Sequence, residues 1–523
     1  MIEDQVPQIL ASLPDRISDI VAPWANRSPN HPALVENSGT WTYQELASAI
    51  AETQTWLVES GVRPGDRVLI VCENCRAYIA ILLALAALDA WPVLASARLS
   101  AREIDLIRDH CGARLVLYTT SVSHFAREHA KRHGAIVETV KNLGPIGVGS
   151  LNQEVQPETI DSNPLNRVAV LIYTSGTTGL PKGVMLTHRN LLYLAAVSAK
   201  IRSLVPKDRM YGVLPMSHAV GLSVVLLGTL ISGATLYLSP RFDPVAALSA
   251  LEKDGITVLL GVPAMFALLV EYANTKGLGA LKFPSLRIIS SSGAPLHAAL
   301  KASVEKLFAG MVLYNGYGVT ECSPTIAQAI VEDPRPDVSV GRAFPGSEIA
   351  LIGADGNPVT DGEVGELRVR GPHVMKGYYR APDETAAVID ADGWFNTRDL
   401  ARLDGVNLFI VGRTKELIVR FGFNVYPAEV EAVLNTYQGV ARSAVIGRNI
   451  EGAEGGEDVV AFVEPLPGAT LTPDELAEHA AIHLATYKRP TLIQIVPNMP
   501  VTPTGKVMKD ALAKMVESGT PSA

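Results

Sequence analysis

Residues 173–188 read YTSGTTGLPKGVMLTH, a cluster of hydroxyls and glycines that runs into a lysine. Gly176, Gly179 and Gly183 free the backbone for tight turns and close approach to a ligand. Successive N–H groups in such a turn form an anion-binding concavity. The hydroxyls of Thr174, Ser175, Thr177 and Thr178 add donors, and Lys182 brings a positive charge. The stretch predicts a phosphate loop behind a strand ending in LIY, with a helical run after His188. The common nucleotide loop, GxxxxGK followed by Ser or Thr, places its lysine directly after glycine. Here Pro181 precedes Lys182 and Gly183 follows it, so a kinase-like or GTPase-like loop is disfavoured.

Further stretches carry groups of matching chemistry: NGYGVTE (315–321), FNTRDLARLDG (395–405), GRTKELIVRFGFNVYPAEVE (412–431) and PVTPTGKVMK (500–509). Glu321 offers a hard oxygen suited to a Mg²⁺ held mainly by phosphates. In order and spacing, these motifs together with YTSGTTGLPKG resemble those of the adenylate-forming enzymes, which include acyl-CoA synthetases, stand-alone adenylation domains and firefly luciferase. The resemblance covers nearly the whole chain.

The resemblance implies roles for the residues that match its motifs. Tyr317 would stack on adenine beside Gly318, and Thr320 would bond the AMP phosphate, with Glu321 as the metal ligand. SSGAP (291–295), with Gly293, Ala294 and Pro295, would line the adenine and acyl pockets. Asp399 would accept both ribose hydroxyls, although Arg398 stands where family members often have glycine. Arg413 would be a second ribose or phosphate contact, and His218 would gate the acyl pocket. Lys506 would reach over from a small C-terminal domain to the carboxylate and α-phosphate, where a cation stabilises developing charge.

The resemblance also implies two half-reactions. Carboxylate and ATP give acyl-AMP and pyrophosphate, and coenzyme A then displaces AMP. Lys506 and a thiol cannot both face one carbonyl, so the C-terminal domain is expected to rotate about a hinge at Lys415. Gly422 and Phe423 would then flank the thiol's path, a role compatible with Gly422 sitting in a β-bulge.

The acyl pocket is expected from Val220, Leu222, Val224, Ala294, Pro324 and Ile326, next to His218. A second substrate carboxylate would need a buried Arg or Lys partner. Neither pocket segment supplies one, which argues against malonate and other diacids, and no Asp follows LPMSH to hold an α-ammonium group. A neutral-tailed acid is left. FGFNVYPAEVE and VMKGYYRAPDET look like fatty acyl-CoA ligases, so a medium- or long-chain fatty acid is the expectation. The alternatives are a benzoate- or cinnamate-like aryl acid, or loading of a separate carrier protein. A non-catalytic nucleotide-binding protein on the same fold is the different-class reading. Lys506, Glu321 and Asp399 together weigh against it.

The elements that must position these groups are legible too. A chain of 523 residues exceeds one compact core. Its composition, 48% apolar and 19% charged, is that of a soluble globular protein. A net charge of −8 and the lack of basic runs interleaved with aromatics argue against nucleic acid as a partner. The acidic N-terminus is unlike a secretory signal, so a cytoplasmic location is expected. The CxxC of Cys72 and Cys75 has no second pair and reads as core packing. Residues 219–239 carry no charge, but Gly233 divides them into a buried helix and a buried strand, so no transmembrane segment is expected.

Runs at 67–71, 114–118, 168–173, 257–262, 286–290 and 311–315 read as buried strands alternating with helices, an α/β fold of stacked sheets. Thr42 and Glu45 have the spacing of a capping box. The expected domains are residues 1–411, with a β-rich subdomain at about 345–411, and a mobile α+β unit at 412–523. The substrates implied are a small carboxylic acid, ATP and CoA; a homodimer is left open.

Overall fold

The apolar runs form strands, and the strands gather into two large sheets. The structure is a computed structural model and describes residues 2–174, 181–420, 423–449, 457–502 and 507–517. In the nine-stranded sheet, Thr235–Leu238, Arg209–Gly212, Val258–Gly261, Ile288–Ser291 and Leu313–Tyr317 pair in parallel, each with the next. In the eight-stranded sheet, Leu115–Tyr118, Arg67–Cys72, Trp91–Ser96 and Val168–Thr174 do the same. Parallel neighbours need crossover connections, and helices supply them.

Several of those helices are buried on every side. Ala77 to Ala86 of helix Arg76–Ala87 are all buried, as an element apolar all round requires. Cys75 caps that helix by accepting a hydrogen bond from the Tyr78 N–H at 3.4 Å. Burial raises the thiol pKa values of both Cys72 and Cys75. The CxxC is therefore structural, as read from the sequence. Thr42 and Glu45 close their capping box at the start of helix Tyr43–Glu59.

The uncharged stretch 219–239 divides where its glycine foretold. A π-helical segment, Val220–Leu227, continues as helix Gly228–Ile231. Gly233 turns the chain at φ +72° into strand Thr235–Leu238. No helix among the described residues is long and apolar enough to cross a membrane.

The phosphate-loop motif follows its expected strand and leads to its expected helix, with one further strand between them. Lys182 opens a strand, Lys182–Thr187, antiparallel to Val168–Thr174 with Thr174 opposite Lys182. The loop thus joins a hairpin. The helix His188–Ile201 starts only after Thr187, which forms a capping box with Asn190. The β-rich subdomain is a four-stranded sheet of Glu348–Ile352, Val364–Arg370, Phe395–Asp404 and Asn407–Arg413. Its last strand runs on through Gly412 and Arg413 into the turn Thr414–Glu416. Beyond it, helices Pro427–Leu434 and Pro473–His483 cover strands Val440–Asn449, Glu457–Pro465 and Leu492–Ile495 around a core of their own.

Gly221 sits where the π-helical segment crosses the preceding turn, and a Cβ there would lie 2.2 Å from the Pro215 carbonyl oxygen. Backbone cannot yield as a flexible side chain does. Gly221→Ala is expected to cost about 3 kcal/mol of stability, read from urea denaturation midpoints. A change near zero would mean that the segment shifts freely.

Candidate active site

The parallel strands of the larger sheet end together, and a crevice opens beyond their carboxyl ends, the usual ligand position in open α/β sheets. Leu260, Ser290, Gly293 and Gly316 to Gly318 line a cavity there with about 460 Å³ of empty space, its mouth included. Gly318 makes the geometry feasible: a Cβ would stand 1.6 Å from the Pro324 carbonyl oxygen. The chain reverses there and returns as Ala327–Gln328, antiparallel to Gly316–Tyr317.

Two polar clusters meet at this crevice. In the first, the Tyr317 hydroxyl donates to Asp399 Oδ2 at 2.5 Å, and Arg413 Nε lies 3.0 Å from Asp399 Oδ1. Asp399 is buried. Burial and the Asp399 charge hold the Tyr317 phenol well above its ordinary pKa. In the second, the Tyr378 hydroxyl donates to Glu321 Oε1 at 2.8 Å, and Lys182 Nζ lies 5.2 Å from the Tyr378 ring centroid. Lys182 also pairs with Glu384. Tyr378 was not singled out from the sequence. Its signal lay in KGYYR, whose Gly377–Tyr378 pairs with the strand after the loop.

The structure thus brings Tyr317, Gly318, Asp399 and Arg413 together, and Tyr378 lies between Lys182 and Glu321. Thr320 and Glu321 share one 3₁₀ turn. Thr174 ends its strand opposite Lys182. Ser175, Gly176, Thr177, Thr178, Gly179, Gly422 and Lys506 lie outside the described residues. Lys415 is exposed in the turn Thr414–Glu416, between the four-stranded sheet and the C-terminal unit. Phe423 is 55% exposed and stacks on Tyr487. The C-terminal unit touches the larger domain where Asn435 Nδ2 meets His297 Nε2 at 3.0 Å.

The residues expected in the acyl pocket fall in two places. Val220, Val224 and Pro324 line the cavity, but Leu222 and Ile326 are wholly buried in the core. His218, Ala294 and Pro295 are not among its lining residues. Burial lowers the His218 pKa and favours a neutral ring. The larger correction concerns charge. Arg202 and Gln328 line the same cavity. Neither pocket segment supplies a cation, as read from the sequence, but Arg202 reaches this cavity from a third element, the end of helix His188–Ile201.

A single carboxylate at Glu321 fits a Mg²⁺ that takes its remaining ligands from phosphates and water. Among the described residues no cluster of His, Cys, Asp and Glu forms a self-sufficient metal cage.

A crevice with a carboxylate, a lysine and a hydroxyl-bound acid at one side and an acyl cavity at the other suits nucleotide-driven activation of an acid. The chain belongs to the AMP-binding enzyme family, whose model matches residues 21–379, with the family's C-terminal domain matching residues 429–506. It is an ATP-dependent, AMP-forming acid–CoA ligase. It is 36% identical to a feruloyl-CoA synthase of Amycolatopsis sp over 491 residues, 93% of this chain and 96% of the relative. It is 31% identical to 4-coumarate–CoA ligase 3 of Oryza sativa subsp. japonica over 509 residues, 94% and 90% of the two chains. Among solved structures, the o-succinylbenzoate coenzyme A synthetase of Bacillus subtilis, in complex with ATP and magnesium ion, superposes with a TM-score of 0.79 at 29% identity, covering 94% of this chain and 98% of that one. These relatives side with the aryl alternative rather than the fatty chain.

Arg398, in place of the glycine common in the family, has φ +59° and its N–H donates to Asn396 Oδ1 at 2.8 Å. A side chain in the left-handed region is strained by about 1–2 kcal/mol. Arg398→Gly relieves this but loosens the unfolded chain, so a net gain of about 0.5 kcal/mol is expected in thermal or urea unfolding. A loss would show that the arginine side chain itself stabilises the turn.

Proposed function

We propose that this enzyme joins a benzoate- or cinnamate-like aryl acid to coenzyme A through an acyl-adenylate. The observation that carries the reading is the cavity beside Tyr317, which has Val220, Val224 and Leu260 on its walls but Arg202 and Gln328 among its lining. Burying a long alkyl tail against this guanidinium and amide would strip water from both and add no polar contact to the ones they make with Ser198 and each other. A flat ring with a polar substituent suits such a cavity, and the relatives' names point the same way.

In this reading the acid's carboxylate lies near Thr320 and attacks the α-phosphorus, expelling pyrophosphate. Lys182 and the loop after Thr174 hold the departing phosphates, including the hydroxyls of Ser175, Thr177 and Thr178. Asp399 and Arg413 orient the ribose and Tyr317 the adenine, a positioning effect that removes much of the entropic barrier. With Glu321 as its protein ligand, Mg²⁺ would neutralise triphosphate charge that otherwise repels the acid. Lys506 stabilises charge during adenylation. Rotation about Lys415 then replaces it with the face carrying Gly422 and Phe423, and the thiol displaces AMP.

Pyrophosphate release should require Mg·ATP and an aryl acid, with an aryl-CoA thioester as product when CoA is present. No release with any acid would refute an active ligase, whereas acyl-AMP that never reaches CoA would point to a carrier acceptor. Lys506→Ala should cut adenylation about 100-fold or more while thioester formation from supplied aryl-AMP stays near wild type. Equal loss in both half-reactions would contradict the rotation.

A further inference from the structure

The cavity beside Tyr317 holds a buried cation whose charge no group among the described residues balances. Arg202 is 6% exposed and follows directly on helix His188–Ile201. Its hydrogen bonds go to neutral acceptors: Nη1 to the Ser198 carbonyl at 3.2 Å and to Ser198 Oγ at 2.5 Å, and Nη2 to Gln328 Oε1 at 3.0 Å. Nε is buried and has no partner. No carboxylate of the described residues pairs with Arg202, and burial alone pushes its pKa down to about 10.

A bland reading exists: the guanidinium caps the helix C-terminus. That terminus carries only about half a negative charge, spread over its last carbonyls. It cannot balance a whole positive charge removed from water, a state that costs several kcal/mol when unpaired. The nearby Asp208 does not serve either, because both of its oxygens bind Arg287, at 2.8 and 2.7 Å. Arg287 in turn donates to the Arg202 carbonyl at 2.8 Å, which fixes the residue's backbone without adding negative charge to its side chain. Gln328 is held by pairing of its strand with Gly316, so its amide keeps the guanidinium at the cavity wall.

We propose that Arg202 is a specificity-determining residue, and that the acid bound here carries at its distal end an oxyanion, either a carboxylate or an ionised phenol, that meets the Arg202 guanidinium. The inference rests on the aryl-acid reading and narrows it. The reacting carboxylate lies toward Tyr317 and Gly318, and the second oxygen completes the arginine's coordination on the cavity side. A guanidinium in a dry cavity also favours the charged form of a phenol over the neutral one. The complement is reciprocal: an acid without the oxygen leaves Arg202 desolvated and unpaired, and is rejected for that reason rather than by shape.

The test compares acids of matched size on the full-length protein with Mg·ATP, reading pyrophosphate release. 4-Hydroxycinnamate and 4-carboxycinnamate are each set against 4-methylcinnamate. The better oxygen-bearing acid should exceed the methyl acid about 100-fold in kcat/KM, and whichever leads identifies the oxyanion. Arg202→Met should shrink that ratio to within about threefold while the KM for ATP stays unchanged. Arg202→Lys should keep part of the preference. A wild-type enzyme that uses the methyl acid as well as the others overturns the proposal even if neither variant folds. So does an Arg202→Met enzyme that keeps the ratio. If no cinnamate and no matching 4-substituted benzoate is activated, the aryl reading fails by itself, and octanoate against octanedioate then decides the role of Arg202. Preference for the diacid supports it. Preference for octanoate, or no release with either acid, overturns it.

Discussion

Everything at the site depends on the register of three parallel strands. Gly261 stands opposite Ser291, and Ser291 opposite Asn315, so Val258–Gly261, Ile288–Ser291 and Leu313–Tyr317 stop at nearly one level. Backbone pairing fixes where each strand gives up its chain to a loop. Ser292, Gly293, Gly316 and Gly318 then share one opening, and the reversal after Gly318 brings Gln328 back beside it. A slip of one residue in any of these strands would turn its side chains to the opposite face and move the opening's floor.

Charge is handled differently on the two sides of this opening. On the nucleotide side every charged group described has an opposite or polar partner: Lys182 with Glu384, Arg413 with Asp399, Glu321 with Tyr378. Lys182 and Arg413 there face opposite charges before ligand arrives, while Glu321 meets a neutral hydroxyl. On the acyl side Arg202 has neutral partners only. Under the proposed roles, acid specificity and nucleotide recognition would rest on charges carried by different elements.

The fold was legible in the sequence where the signal is local. Runs of buried β-branched residues marked the strands, Thr42 and Glu45 marked a helix start, and Gly233 marked the break in the long uncharged stretch. The strand Lys182–Thr187 was missed because its partner lies across a loop and its residues read equally well as the approach to a helix. At the site, Tyr317, Asp399 and Arg413 could be named from motifs. Arg202 could not. It occupies the end of an apolar helix, where a lone arginine reads as a solvated cap, and only the tertiary arrangement places it behind Val220 and Val224. The same limit misled the choice of acid, because the two segments examined for a cation do not include the helix that supplies it.

The Asp399 carboxylate has a further consequence. Its two oxygens are already engaged, one by the Tyr317 hydroxyl and the other by Arg413. A carboxylate offers about four acceptor positions over its two oxygens, so donors already set on each oxygen fix the directions from which a diol could approach. Only hydroxyls whose spacing and angle are compatible with Tyr317 and Arg413 would be accepted, a constraint of shape more than of binding strength.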